Sequence, residues 1–187
     1  GGTTPLDIII DAPQDFLDFQ KEEASLMAEE GFGAPDAPQI LNGYWLSGFQ
    51  LEEIENIHVY LESLDETGKV LSFHTTAQLL QRLEDIGELD RFFMGVLYSK
   101  LPDEIRDLLF APYISAGGNQ LRFSVRVFET AGGLNRQALL KKVRHHLSAE
   151  LALAEEQIQT TGVVVLYNNV LQSLFQSQIL TVGVVFV

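Results

Sequence analysis

The chain has 187 residues, 46% of them apolar, and it contains no cysteine; it is long enough to bury a core, and a disulfide framework, a cysteine zinc site and a thiol nucleophile are excluded. The net charge of −14 is uneven: residues 1–70 hold 15 Asp/Glu against only Lys21 and Lys69, whereas the rest is nearly balanced. Such a surface repels phosphate backbones and anionic lipid headgroups, so nucleic acid is not an expected partner.

In chain order, Leu6–Asp11 is a short, β-branched apolar run closed by Pro13, which predicts a buried strand. Residues 14–30 alternate carboxylates with Phe16, Leu17, Phe19, Leu26 and Met27 and predict a helix. Residues 31–48 are rich in Gly, Pro and Asn and predict a long connection, with a short strand at Tyr44–Leu46. The spacing of Leu51, Ile54, Ile57, His58, Leu61 and Leu64 predicts an amphipathic helix stopped by Gly68. Lys69–Phe73 is the next expected strand, followed by a helix capped by Thr75 or Thr76 and running to about Ile86. Two short helices are expected at 90–97 and 102–110, the second with Pro102 in its first turn.

Tyr113–Ser115 and Leu121–Phe128 flank Gly117-Gly118-Asn119 and predict a hairpin, with positive φ required at the glycines. Within the longer arm Leu121, Phe123, Val125 and Val127 share one face and Arg122, Ser124, Arg126 and Phe128 the other, so one face is expected to be wet. Asn135 is the expected cap of a helix reaching about Leu153, with Leu139, Leu140, Val143, Leu147 and Leu151 inward. Gln157–Thr161 is the last strand. Without the helices between about 75 and 110, this order predicts an α+β fold of ferredoxin-like split βαβ type.

Beyond Glu156 no charged residue occurs. From Leu166 on, apolar pairs (Leu166-Tyr167, Val170-Leu171, Leu174-Phe175, Ile179-Leu180) alternate with Asn168-Asn169, Gln172-Ser173 and Gln176-Ser177. An interfacial helix ordinarily carries Lys or Arg on its polar face; an uncharged amide and hydroxyl face suits packing between helices at a lipid boundary. The final nine-residue apolar run, Ile179–Val187, is shorter than the roughly 20 residues a spanning helix needs. Together with a start at Gly1-Gly2, this predicts a segment internal to a longer membrane protein, ending just inside a transmembrane helix.

Three stretches resemble the RND superfamily, specifically its MMPL-type exporters. Gly1–Ile10 is similar to the start of a porter region. Lys69–Phe73 with the helix after it is similar to the strand–helix passage that follows the first porter helix. Thr161-Gly162 through Leu166–Asn169 to Ile179 is similar to the return into a membrane helix. The resemblance implies a periplasmic porter-type domain at residues 1–161, with a helical insertion at about 75–110; the acidic stretch from Asp15 to Asp36 departs from the family's pattern and reads as an insertion at about 14–48. It implies that 162–187 form an amphipathic helix entering a truncated transmembrane helix. It further implies a place at the bacterial inner membrane, facing the periplasm, in a proton-driven exporter of hydrophobic or amphiphilic molecules. The expected partners are the other membrane helices and second periplasmic loop of the same polypeptide, the bilayer and the substrate. The proton-coupling residues would lie outside this chain. The alternative is an extracytoplasmic sensor or interaction domain anchored by a C-terminal membrane helix.

The residues offer little covalent chemistry. His145 and His146 point about 100° apart on a helix and do not readily share a metal; His146 and Glu150 are spaced as a surface ion pair. His58 falls on an apolar stripe and His74 beside a strand end. Asp7 and Asp11 flank the first strand and read as a solvated acidic face. No Gly-x-Ser-x-Gly, HExxH or phosphate-cradling motif occurs. No catalytic residue, metal or cofactor is therefore expected. A possible substrate path is assigned to Tyr44, Trp45, Phe92, Phe93 and Met94, although apolar residues at helical spacing also suit a core.

Overall fold

The computed structural model describes residues 3–30, 39–46, 50–84, 98, 100–128, 135–167, 169, 170 and 173. They form a mixed α+β structure around a four-stranded antiparallel sheet: β1 (Thr3–Asp11), β2 (Thr67–Leu71), β3 (Gln120–Phe128) and β4 (Ile158–Gly162), in the order β2-β3-β1-β4. β3 is antiparallel to both β1 and β2, so β1 and β2 run parallel with β3 between them. β4 runs antiparallel on the other side of β1.

The sheet is two-faced for the reason the period of two predicts. Leu121, Phe123, Val125 and Val127 of β3 are wholly buried, whereas Arg122, Arg126 and Phe128 face outward. β1 follows the same rule. Leu6, Ile8 and Ile10 are core, while Ile9 is only half-buried, so the strand is buried on one face rather than on both. Its Pro5 directs its carbonyl toward Gly162, where β4 ends.

The helices between β1 and β4 include α1 (Gln14–Glu29), α2 (Gln50–Glu62), α3 (Phe73–Glu84), α4 (Asp103–Leu109) and α5 (Arg136–Ala149). α2 and α5 bury the expected stripes, Ile54, Ile57, His58 and Leu61 in one and Leu139, Leu140, Val143 and Leu147 in the other. The apolar side chains among these, with Phe73, Trp45 and Phe110, share one core with the inner face of the sheet. A fully buried Leu, Ile or Phe contributes about 1.5–3 kcal/mol relative to exposure, which makes this shared face the main source of stability. Val164, past the boundary expected at 161, still belongs to that core. α1 is different in kind, since none of its side chains is buried.

Several boundaries differ from the sequence expectation. Tyr44–Leu46 is a 3-10 turn and not a strand, because its amides are taken by the hairpin tip: Tyr44 N–H donates to the Asn119 side chain and Trp45 N–H to the Gly118 carbonyl. α2 does not stop at Gly68. It is closed by Thr67, whose hydroxyl reaches the carbonyls of Leu61 and Leu64, and Gly68 lies inside β2. The helix after β2 starts at Phe73, so Thr75 and Thr76 are inside it. Ser72 occupies the capping place, its Oγ accepting from His74 N–H at 3.2 Å. Pro102 precedes α4 as its N-cap instead of opening its first turn. The first hairpin arm shrinks to one bridge between Ile114 and Leu121. Asn135 does cap α5, accepting from Ala138 N–H at 2.9 Å, but the helix ends at Ala149, short of Leu153. The helix expected at 90–97 lies outside the described residues.

Candidate functional site

Two loops meet across glycines that leave no room for a side chain. Gly118 has φ +71°, and a Cβ on it would lie 2.3 Å from the Ile40 carbonyl oxygen; a Cβ on Gly43 would lie 2.3 Å from the Gly118 Cα. This contact seats Trp45 in the core, fully buried. Its indole N–H has no hydrogen-bond acceptor among the described residues. Tyr44 is half-buried, edge-on to Trp45 and to Phe16 of α1. Of the residues assigned to a substrate path, Trp45 thus offers no surface and Tyr44 offers one edge. Phe92, Phe93 and Met94 lie outside the described residues.

Asp7 and Asp11 sit on the outer face of the sheet and are held by its polar side chains. Asp7 accepts from Arg122 at 2.8 Å. Asp11 accepts from Gln120 at 2.7 Å and from Gln159. Beside Asp11 an open cleft of about 380 Å³ is lined by Asp15, Leu17, Glu156 and Gln157. Gln157 fastens its rim by donating to the Asp11 carbonyl at 2.9 Å.

The histidines separate into two environments. His146 of α5 stacks on Tyr60 of α2, with ring centroids 3.5 Å apart and 9° between planes. The Tyr60 hydroxyl donates to the Lys142 carbonyl at 3.3 Å, so this contact ties two helices together. Burial, with Glu66 nearby, pushes the Tyr60 phenol above its ordinary pKa. His58 is buried at the seam between α2 and α3, and its Nδ1 lies 2.8 Å from Ser72 Oγ. Its Nε2 lies 3.4 Å from Glu62 Oε1, and its ring is 4.8 Å from that of His74. Burial pulls the His58 pKa down, Glu62 opposes that, and His74 adds to the lowering.

The order Glu62–His58–Ser72 has the polarity of a nucleophile, base and carboxylate, but its exposure is reversed. Acyl transfer needs a reachable hydroxyl and an enclosed carboxylate. Here Ser72 is wholly buried while half of Glu62 faces water. The chain can hold a proton; it does not present a nucleophile. Ser72 and Glu62 were not singled out in the sequence. The available signal was the i,i+4 spacing of His58 and Glu62 on a stripe otherwise apolar. Among the described residues no group of three or more His, Asp or Glu has a metal-holding arrangement.

A different feature marks the exit from the sheet. Residues 163–167 are helical directly after β4. Val164 is buried and Val165 half-buried, but Leu166, Tyr167 and Val170 are exposed, Leu166 by 62%. The Arg136 guanidinium lies 5.8 Å above the Tyr167 ring, a cation–π distance. This exit is also beside the start of β1, because Leu6 pairs with Gly162. No helix among the described residues is long and apolar enough to cross a membrane.

The chain matches no protein-family model, no curated protein and no solved structure at a meaningful level of similarity.

Proposed function

We propose that this chain is a periplasmic, substrate-guiding porter domain of a proton-driven RND/MMPL-type exporter, set between two membrane helices of a longer polypeptide. The observation that carries the reading is the pairing of Leu6 with Gly162. It brings the start of the first strand and the end of the last to one end of the sheet. A domain inserted between neighbouring membrane helices needs that arrangement, since both connections must return to one membrane surface. The exposed Leu166, Tyr167 and Val170 then face lipid or apolar neighbouring helices rather than water. Single exposed apolar residues are ordinary; three within five positions, in a stretch without charge, are less so.

The strand order supports a ferredoxin-like split βαβ arrangement for the sheet, with α1 as an outlying acidic addition. In that arrangement β1 and β2 flank β3, while β3 and β4 flank β1. The domain makes and breaks no covalent bond in this reading. It binds or guides an amphiphilic molecule and shifts against the second periplasmic loop as the membrane helices move. Its work lies in shape and apolar surface.

This chain contributes no cysteine of its own, and any cysteine elsewhere in the longer polypeptide would first be replaced by serine. Single cysteines placed at exposed Asp103 and at Val184 in the full-length protein would be probed in intact cells with a membrane-impermeant maleimide. The reading expects labelling of the first and protection of the second. It also expects reconstituted protein to move a fluorescent amphiphilic dye when a pH gradient is imposed. Labelling of Asp103→Cys only after the cytoplasmic side is opened would reject the orientation, and dye movement indifferent to the gradient would reject proton coupling.

A further inference from the structure

We propose that His58 is a proton-sensitive latch that keeps α3 docked on α2 while its imidazole is neutral and releases α3 when it is charged. The hydrogen-bond inventory at Ser72 supplies the reason. Ser72 Oγ already accepts the His74 N–H at 3.2 Å, so its own hydrogen is free to donate, and His58 Nδ1 stands 2.8 Å away. Glu62, whose carboxylate can only accept, faces Nε2 at 3.4 Å and so draws the ring hydrogen to Nε2, which leaves Nδ1 as the acceptor of the Ser72 hydroxyl. A proton added at Nδ1 turns that acceptor into a donor. Ser72 Oγ then faces two donors, and its hydroxyl hydrogen loses its acceptor in a place closed to water.

The charges around the ring act in opposing directions. From α2, Glu62 and Glu55 favour the imidazolium; from α3, a charge on His74 opposes it; the β2–α3 junction supplies only the neutral Ser72. Burial is the largest influence and sets the direction, below the ordinary imidazole value of 6.5. A group whose folded pKa is depressed contributes docking free energy that is complete above 6.5 and is lost as pH falls below it. The loss levels off once His58 is protonated in the docked state. The latch sits where it controls more than its own contact. Ser72 immediately precedes Phe73, the first residue of α3, and Phe73 packs against Phe110 beyond α4, rings 5.2 Å apart. Thr76 of α3 also donates to the Leu109 carbonyl. Opening the α2–α3 seam would thus expose apolar surface at Phe73 and Phe110. The latch does not depend on the porter reading. Under that reading it would let the outer pH set access to apolar surface in the domain.

The test is nitrogen NMR of the imidazoles in the whole chain from pH 8 to 5, with amide exchange followed in α3 and, as an internal reference, in α5. After correction for intrinsic rates, protection of the α3 amides should fall by up to about tenfold per pH unit below pH 6.5, while that of α5 stays level. The His58 titration should lie below that of free imidazole, and His74→Ala should move it upward. Protection in α3 that follows α5 across the range, a His58 midpoint at the free value, or a midpoint unmoved by His74→Ala would each overturn the proposal. Should His74→Ala not fold, the exchange profile of the unaltered chain decides alone.

Discussion

Gly162 closes β4 directly against Pro5 of β1: with φ +102°, a Cβ at Gly162 would stand 2.7 Å from the Pro5 carbonyl oxygen. The positive φ and the absent side chain let the chain leave the sheet at that point and turn at once into the helix at 163–167. Pro5 fits its half of the contact for a complementary reason. It has no N–H to offer, and its carbonyl faces the place where β4 runs out. The first and last strands are thereby fixed to each other where the helix at 163–167 leaves the sheet.

Replacing Gly162 with alanine should therefore be costly although it adds one methyl group. A strained left-handed position together with a backbone clash is expected to cost about 1–3 kcal/mol. Urea unfolding of Gly162→Ala checks this, with Gly117→Ala as a comparison, since a Cβ at Gly117 meets nothing within 4 Å. Equal midpoints for the two variants would contradict the account of the exit.

Asn119 should behave as the clasp between α1, the 39–46 loop and the hairpin tip. Its side chain accepts from Tyr44 N–H at 3.1 Å and donates to Gln20 at 2.8 Å, and its carbonyl accepts from Ala12 N–H at 2.7 Å. Asn119→Ala removes the first two bonds and leaves the third. A loss of about 1–2 kcal/mol is expected, given that each net bond is worth roughly 1 kcal/mol. Amide exchange should accelerate in α1 and at Tyr44 before it changes in α5.

Asn135→Ala should cost about 0.5–2 kcal/mol, because it removes the acceptor for Ala138 N–H at the start of α5. Asn135→Ser, which keeps an acceptor at the cap, should recover most of that loss in the same denaturation measurement.

Glu53 of α2 is pushed above its ordinary carboxyl pKa of 4.5 by burial. For a carboxyl raised in the folded state, the penalty is absent below 4.5 and grows as pH climbs through the folded value. Glu53→Gln should therefore raise the denaturation midpoint at pH 7, with the gain vanishing at pH 4. A gain that persists at pH 4 would place its origin in packing instead of ionisation.

The parts of this structure that were legible in advance are those where a period meets a single buried face. The alternation in Leu121–Phe128 and the stripe Ile54, Ile57, His58, Leu61 each announced both an element and its inward side, because nothing nonlocal competes with such a pattern. The errors lie at element ends, where one remote group decides. Tyr44–Leu46 has strand-forming residues, yet the Asn119 side chain and the Gly118 carbonyl, more than 70 positions away, claim its amides. Gly68 as a helix stop and Thr75 or Thr76 as a cap were assigned by residue type, whereas Thr67 and Ser72 fill those places because of which carbonyls and amides the turn leaves open. The Glu62–His58–Ser72 chain was hidden for a similar reason. Its histidine reads as one polar residue in an apolar stripe, and its serine becomes a partner only when β2 returns α3 onto α2. Trp45 read equally as a lid over a substrate path or as packing; the Gly43–Gly118 contact, which a composition reading does not reveal, goes with its burial in the core.

The central claim is that the uncharged stretch after Gly162 carries this sheet domain into lipid. Flotation of the purified chain with phosphatidylcholine vesicles tests it most directly, run beside a version ending at Val165 that retains the buried Val164. The full chain is predicted to rise with the vesicles, and the shortened one to stay behind with the same far-ultraviolet circular dichroism per folded domain. A full chain that stays below the vesicles, or a shortened chain that unfolds, would show that these residues belong to the protein's own interior.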